Sequence, residues 1–357
     1  MPQCKWLVIL CCCLLLTGCL EKEIVDDINI ESAEGFDLVE GEKVRGTFLI
    51  PIYQADKSIT NKTFSSVANM NKDLLANLQK ESSAPIVNGS LQVVIFNKKL
   101  AEKGMMELID ALERDSSIGT SLYLAVLEGE VKSVLEKEYG TEGTGHYIMN
   151  LIKHNVHRRD LPASNLHIFL SDHYQEGKDP NLPYLKEEND DIAIQGAVVI
   201  KDNKLVAVVP NDMLFYFKLL VDKHSGGTLS IMIPDENEHV SLKSIKTDSQ
   251  VKVEWKNGEP HFHIELKMNG TIREYSGTKV NGKQIEIFQK AFEEELKKQS
   301  LALIKLFQEK NVDPIGLGFE AKSRKRGFDL KKWEKTYPNV EVNVTTEVTI
   351  LGTGITE

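Results

Sequence analysis

Apolar and polar positions alternate along this chain with periods that change from one stretch to the next, and each period predicts an element. Val44 to Tyr53 (VRGTFLIPIY) is rich in strand formers, and Pro51 places it at an edge or a strand end. Thr63 to Lys80 carries Val67, Met70, Leu74 and Leu78 on one stripe, which predicts a helix. Gln92 to Phe96 (QVVIF) is a continuous apolar block, as expected of a strand buried on both faces. A helix follows from Leu100 to Arg114, broken or started late near Gly104, with Met105, Leu108, Ile109 and Leu112 as its apolar face. Ser121 to Leu127 (SLYLAVL) predicts another buried strand. Helix, strand, helix, strand in this order predicts an α/β module over residues 28–130.

The middle of the chain differs. Val131 to Tyr139 and Tyr147 to Asn155 read as helices joined by Gly140 to Gly145. Gln175 to Asp191 is charged and proline-bearing, and no apolar period crosses it. Residues 131–191 are therefore expected as a mostly helical module and linker. A last module over residues 192–354 opens with Ala197 to Ile200 and Leu205 to Val209, a hairpin around Lys201 to Lys204 (KDNK). Val251 to Trp255 and Phe262 to Met268 predict a second hairpin, with Lys256 to Pro260 as a longer connection. The longest helix, about Gln284 to Asn311, buries Phe288, Phe292, Leu296, Leu303 and Phe307, and Pro314 and Gly316 lie beyond its end. Glu341 to Ile350 (EVNVTTEVTI) alternates strictly and predicts a half-buried antiparallel strand. The fold class expected is mixed α/β or α+β in several modules, with a C-terminal antiparallel sheet packed on a long helix.

One apolar run has no period. Trp6 to Thr17 (WLVILCCCLLLT) follows the positive charge of Lys5. As a helix it would measure roughly 18 Å, too short for a hydrocarbon core of about 30 Å. It reads as the apolar part of an export signal, residues 1–18, closing on Leu16-Thr17-Gly18-Cys19. That sequence matches the lipobox of bacterial lipoproteins, in which the cysteine sulfur takes a diacylglyceryl group and the chain is cut before it. All five cysteines (Cys4, Cys11, Cys12, Cys13, Cys19) lie in this region. Cleavage would leave a single, alkylated thiol and exclude a disulfide framework, a zinc cluster or a thiol nucleophile. Cys19 is thus the expected lipid anchor, residues 19–27 its tether, and the body is expected to be soluble and membrane-attached through that lipid.

Charge and candidate chemistry change this picture little. A net charge of −10 and a pI near 5.5 oppose nucleic-acid binding, and no nucleic-acid module is evident. His261, His263 and Glu265 would share one face of a strand and could present three metal ligands. The alternation that sends Phe262, Ile264 and Leu266 inward accounts for them equally, and no metal or cofactor is expected. His154 and His157 fit a solvated helix terminus. Gly140 to Gly145 resembles a phosphate loop only loosely, because a helix and not a strand precedes it. Lys322 to Arg326 (KSRKR), with Lys331 and Lys332, forms a basic island in an acidic protein. No nucleophile-elbow or zinc-protease motif is present, and no catalytic residue is assigned.

Four stretches carry a family likeness: the lipobox LTGC; Leu91 to Gly129; Ile192 to Val209 (IAIQGAVVIKDNKLVAVV); and Gly316 to Gly354, with its Gly-Leu-Gly, Trp333 and closing strand. In order and spacing the chain resembles the Ger(x)C family, the lipoprotein C subunits of nutrient germinant receptors of Bacillus-type spores. It departs where many members place Trp-Asp after the lipidated cysteine, having Leu20-Glu21 instead. The resemblance implies a non-enzymatic, three-module, mixed α/β subunit on the outer face of the spore inner membrane. Its implied partners are a polytopic A subunit and a polytopic, transporter-like B subunit, which together respond to nutrients by releasing ions and dipicolinate. Two rival readings are a solute-binding lipoprotein of a bacterial transporter and an envelope hydrolase. The first would need two doubly wound lobes, and the second a convergent site.

Overall fold

The computed structural model describes residues 27–68, 71–233, 238–277 and 280–353. At the chain's entry β1 (Asn29–Ile30) pairs in parallel with β5 (Ile86–Val87). An eight-stranded sheet follows: β2 (Ala33–Leu38), β3 (Val44–Tyr53), β4 (Ile59–Ala68), β6 (Val93–Asn97), β7 (Tyr123–Glu128), β8 (Asn181–Glu188), β9 (Asp191–Lys201) and β10 (Lys204–Pro210). Their order is β10-β9-β8-β7-β6-β2-β3-β4. The central strands β2, β6, β7 and β8 run parallel, and the connections β6–β7 and β7–β8 are helical. The hairpins β3–β4 and β9–β10 extend the sheet on either side in antiparallel fashion.

The central block QVVIF behaves as its composition requires. Val93 and Ile95 enter one core, together with residues of α4 (Val131–Leu135) and α5 (Thr144–Arg158). Val94 and Phe96 enter the opposite core, with α2 (Lys98–Lys103), α3 (Met106–Arg114) and α6 (Leu166–Tyr174). Helices thus cover both faces, and an alternating strand could not have filled this place. The break expected near Gly104 separates α2 from α3, where that residue takes φ 140° and donates to the Leu100 carbonyl at 2.8 Å.

A second sheet contains β11 (Thr228–Ile233), β12 (Glu238–Lys256), β13 (Glu259–Tyr275) and β14 (Val342–Thr353), in that order. Its inner face packs on α8 (Gly282–Glu309), which starts at an Asn281/Gln284 capping box. Phe288, Phe292, Leu296, Leu303 and Phe307 are all buried, each worth roughly 1.5–3 kcal/mol of apolar transfer. Between the sheets α7 (Leu214–Val221) brings Phe217 to 5.5 Å from Phe307, ring centre to ring centre. The core that begins at Ala33 and Val93 therefore continues without a break to Val344 and Ile350. The architecture is mixed α+β, with a C-terminal sheet packed on a long helix.

Four local expectations are corrected. Thr63 to Ala68 is strand and not helix. It pairs along β3, and its Thr, Phe and Val residues suit a sheet; the helix α1 (Asn71–Glu81) starts after it. Leu74 and Leu78 are buried as the helical stripe predicts, whereas Val67 is 44% exposed and Met70 lies outside the described residues. Gln175 to Asp191, expected as linker, contains β8, whose first five residues are buried. The run Leu182 to Leu185 is short, contains a proline and abuts charges, so its apolar signal was weak. The connection at Lys256 to Pro260 is a two-residue turn, with Asn257 at φ 52° and Gly258 at φ 84°, while Lys256 pairs with Glu259. Finally β14 has the expected faces but runs parallel to β13. The chain leaves β13, returns along the whole of α8 and re-enters the sheet in the same direction, as a helical crossover dictates.

The two sheets meet at a tight joint. The segment after α6 lies against the start of α9 (Leu317–Arg324), with Phe319 N donating to the Gly177 carbonyl at 2.9 Å. Asp179 N donates to the Asp313 carbonyl at 3.0 Å, and Asp313 N to the Asp179 carboxylate at 2.6 Å. The Asp313 carboxylate accepts from the amides of Gly316, Leu317 and Gly318 at 2.9, 3.0 and 2.7 Å, satisfying orphan donors at the start of α9. A methyl group on Gly177 would lie 2.6 Å from Gly318 C and Phe319 N, and one on Gly318 would overlap the Trp333 indole nitrogen. Backbone thus rests on backbone. Gly318→Ala is expected to destabilise the body by about 1–3 kcal/mol through overpacking. Urea unfolding measures this, and an unchanged midpoint would contradict the joint.

Candidate interaction surfaces

Cys19, the expected lipid-bearing residue, lies outside the described residues. At the start of the described chain Asn29 N donates to the Pro85 carbonyl at 2.8 Å and its side-chain amide to Ser82 Oγ at 2.8 Å. This entry lies beside the amino-terminal end of β2.

The strand alternation places His261, His263 and Glu265 together on the outer face of β13, but neighbouring strands engage each of them. His261 Nδ1 lies 3.2 Å from Glu341, and His263 Nε2 lies 3.0 Å from Thr345 Oγ1 and 3.8 Å from Glu265. Glu265 pairs with Lys252, whose hydrogen bond holds its carboxyl below the usual range. Among the described residues no cluster of three or more His, Cys, Asp or Glu has the geometry to hold a metal. His154 and His157 are exposed near the end of α5. Arg158 stands in the last turn, and a further cation joins it at that helix end: the buried Lys218 donates to the carbonyls of Val156 at 2.6 Å and Arg159 at 3.1 Å. Its one sequence signal was a lone charge inside LFYFKLL. Beside it His224 donates its backbone N–H to Thr247 Oγ1 and stacks on Phe215, and burial pushes its imidazole down to about 4.

Gly140 to Gly145 forms a helix–helix turn. Thr144 Oγ1 donates to the Lys137 carbonyl at 2.7 Å and accepts from Asn61 at 2.8 Å, which braces the β3–β4 hairpin where Asn61 pairs with Pro51. The basic island is built into the β12–β13 hairpin. Arg324 donates to the Val251 carbonyl at 2.9 Å and pairs with Glu320, while Lys322 pairs with Glu176. Lys325 lies 4.1 Å above the Trp255 ring and donates to the Gly258 carbonyl. Together with α10 (Leu330–Thr336) these residues border a groove of about 540 Å³, lined by Lys325, Lys332, Lys335, Glu259, Asp329 and Glu341. It is an open trough of mixed charge.

Another crevice, of about 440 Å³, lies at the carboxyl ends of β2, β6 and β7, where sheets with parallel strands commonly bind ligands. Here the chain fills the position itself. The Asp37 carboxylate accepts from the Val131 and Lys132 amides at 2.8 and 3.0 Å, and Asn97 Oδ1 accepts from Leu100 N and Leu38 N. The helix starts that could cradle an anion are therefore already capped.

A buried acidic pair had no sequence signal. Glu31 and Glu34, in IESAEGF, are 0% and 4% exposed, and neither carboxylate oxygen of Glu31 has a hydrogen-bond partner. Burial is the largest cause raising both carboxyls, Glu34 from the usual 4.5 to about 7, and the charge of Asp115 adds to it.

With this geometry in hand, comparison with known proteins places the chain among spore proteins. Residues 21–187 match the family described as "Spore germination protein N-terminal domain", and residues 195–354 match "Spore germination B3/ GerAC like, C-terminal". The passage from one match to the other falls at the β8–β9 hairpin. The chain is 30% identical over 357 residues to spore germination protein GerQC of Bacillus cereus, covering 99% of each chain. It is 21% identical over 321 residues to spore germination protein B3 of Bacillus subtilis (strain 168), covering 85% of this chain and 84% of the relative. Its fold matches the crystal structure of the GerBC protein with a TM-score of 0.61 at 17% identity, over 89% of this chain and 96% of that one.

The raised acidic pair sets a pH dependence. Between about 4.5 and 7 the folded chain keeps a proton that the unfolded chain has released, so stability falls as pH rises through that window. His224, lowered from 6.5 to about 4, acts in the opposite sense, losing stability as pH falls. Glu34→Gln isolates the first contribution. The drop in the urea midpoint between pH 5.5 and pH 8 is expected to shrink in this variant, and an identical drop in both chains would contradict the assignment.

Proposed function

The chain belongs to the GerAC-like family of spore germination proteins, and from that premise we propose that it is the lipid-anchored C subunit of a nutrient germinant receptor. The observation that carries this reading is the continuity of the likeness. Both halves match, the similarity to GerQC extends over nearly the full length of both chains, and Leu16-Thr17-Gly18-Cys19 stands where a lipid would be attached. In this reading Cys19 bears a diacylglyceryl group and holds the body on the outer face of the spore inner membrane. Among the described residues no helix is long and apolar enough to cross a membrane, so the lipid supplies the attachment.

The partners in this reading are the polytopic A and B subunits. The body packs against their exposed loops and stabilises the assembly, contributing a shaped surface and no catalytic group. Internal use of its buried polar side chains supports a scaffolding role: Asp37, Asn97, Asp313 and Lys218 each cap a helix end of the chain itself.

Cys19→Ala tests the anchor. Acyl chains hold a protein at about 0.8 kcal/mol per buried methylene, so nutrient-triggered germination is expected to fall at least about tenfold. The circular dichroism and unfolding midpoint of the body should stay unchanged. Normal germination from an unlipidated chain would sink the proposal.

A further inference from the structure

The end of the body from which the tether emerges also bears the most exposed large apolar side chain among the described residues. Ala33 at the start of β2 pairs with Leu49 of β3, so Ile50 to Tyr53 run on past the sheet's amino-terminal end, level with the entering strand β1. Four strand residues at about 3.3 Å each carry Tyr53 roughly 13 Å beyond that pair. The tip closes with Gln54 N donating to the Ser58 carbonyl, and Tyr53 is 76% exposed. At the tip Asp56, which accepts from Ser58 N and Oγ at 2.9 and 2.6 Å, offsets the charge of Lys57. The two tip charges therefore cancel within a chain of net charge −10. The α4–α5 turn, through Thr144 and the Lys137 carbonyl, grips Asn61, which pairs with Pro51 within the projecting stretch, so the projection is braced.

The length of the tether determines what this tip can meet. Asp27, where the described chain begins, is eight residues beyond Cys19. Even fully extended, that segment spans at most about 29 Å. A body held this close to its lipid presents the β3–β4 tip toward the headgroups. Tyrosine, with an apolar ring and a polar hydroxyl, is the side chain suited to that layer. On the reading that Cys19 carries the lipid, we propose that the β3–β4 tip, through Tyr53, is a second membrane contact. It rests in the headgroup region of the bilayer that holds the anchor and sets the orientation of the body.

Fluorescence quenching in vesicles tests the contact. The chain beginning at Cys19 retains one thiol, so it can be coupled there to maleimide-bearing lipid in vesicles of phosphatidylcholine and phosphatidylglycerol. Tyr53→Trp adds an indole at the tip, and Glu40→Trp adds one at the far end of β3, roughly 30 Å away. Lipids brominated just below the headgroup should quench the Tyr53→Trp signal at least twofold more than the native tryptophan background and leave the Glu40→Trp signal at background. Equal quenching at both positions, or none at Tyr53→Trp, would overturn the proposal, the latter also if that site becomes shielded only when receptor membrane subunits are added. Because the coupling is chemical, this outcome is independent of whether the cell lipidates Cys19. A native Cys19 peptide of unmodified mass would instead sink the anchor reading.

Discussion

The arrangement of this protein depends on a contact between two stretches of backbone. Gly177, after the last helix on the large sheet, lies against Gly318 and Phe319 at the start of a helix that packs on the second sheet. Neither glycine has room for a methyl group, and the Asp179–Asp313 exchange of backbone and carboxylate bonds closes the joint beside them. The same apolar core runs from Val93 through Phe217 and Phe307 to Ile350. With both joint and core shared, the sheets have a fixed relation. The proposed tether at one end of such a body would fix where its other surfaces lie.

That rigidity accounts for how the polar groups are used. Where a parallel sheet would ordinarily expose helix starts to a ligand, Asp37 and Asn97 occupy them. Where α5 ends, Lys218 is buried against its carbonyls. The histidines and glutamate on β13, and most of the basic island, are paired with residues of adjacent elements. Polar side chains that might have composed a binding site stabilise the chain's own turns and termini. This speaks against a solute-binding lipoprotein, whose cleft would leave such groups open toward a ligand.

Much of this fold was legible in the order of the residues, and what was illegible follows a rule. QVVIF announced a strand covered on both sides, and the stripe from Phe288 to Phe307 announced the long helix, because burial leaves a period in composition. The faces of β14 were readable for the same reason, but its direction was not, since direction is set by the α8 crossover and not by its own residues. Thr63 to Ala68 misled because Val67 falls by coincidence on the stripe of Leu74 and Leu78. β8 was missed because its apolar run is short and flanked by charge. Glu31, Glu34 and Asp313 left no signal, because the sequence around an acidic side chain does not show whether other elements cover it. The family likeness read from the sequence extends through both matched halves, residues 21–187 and 195–354, and the lipobox lies before the first.

The central claim is that a rigid body, tethered at Cys19, assembles with membrane-embedded receptor subunits. The most direct test is to recover the tagged protein from spore inner membranes in mild detergent and identify the chains that accompany it by mass spectrometry. The account predicts two polytopic receptor subunits in near-stoichiometric amounts. Recovery of a transporter permease with its ATPase, and no such pair, would contradict it.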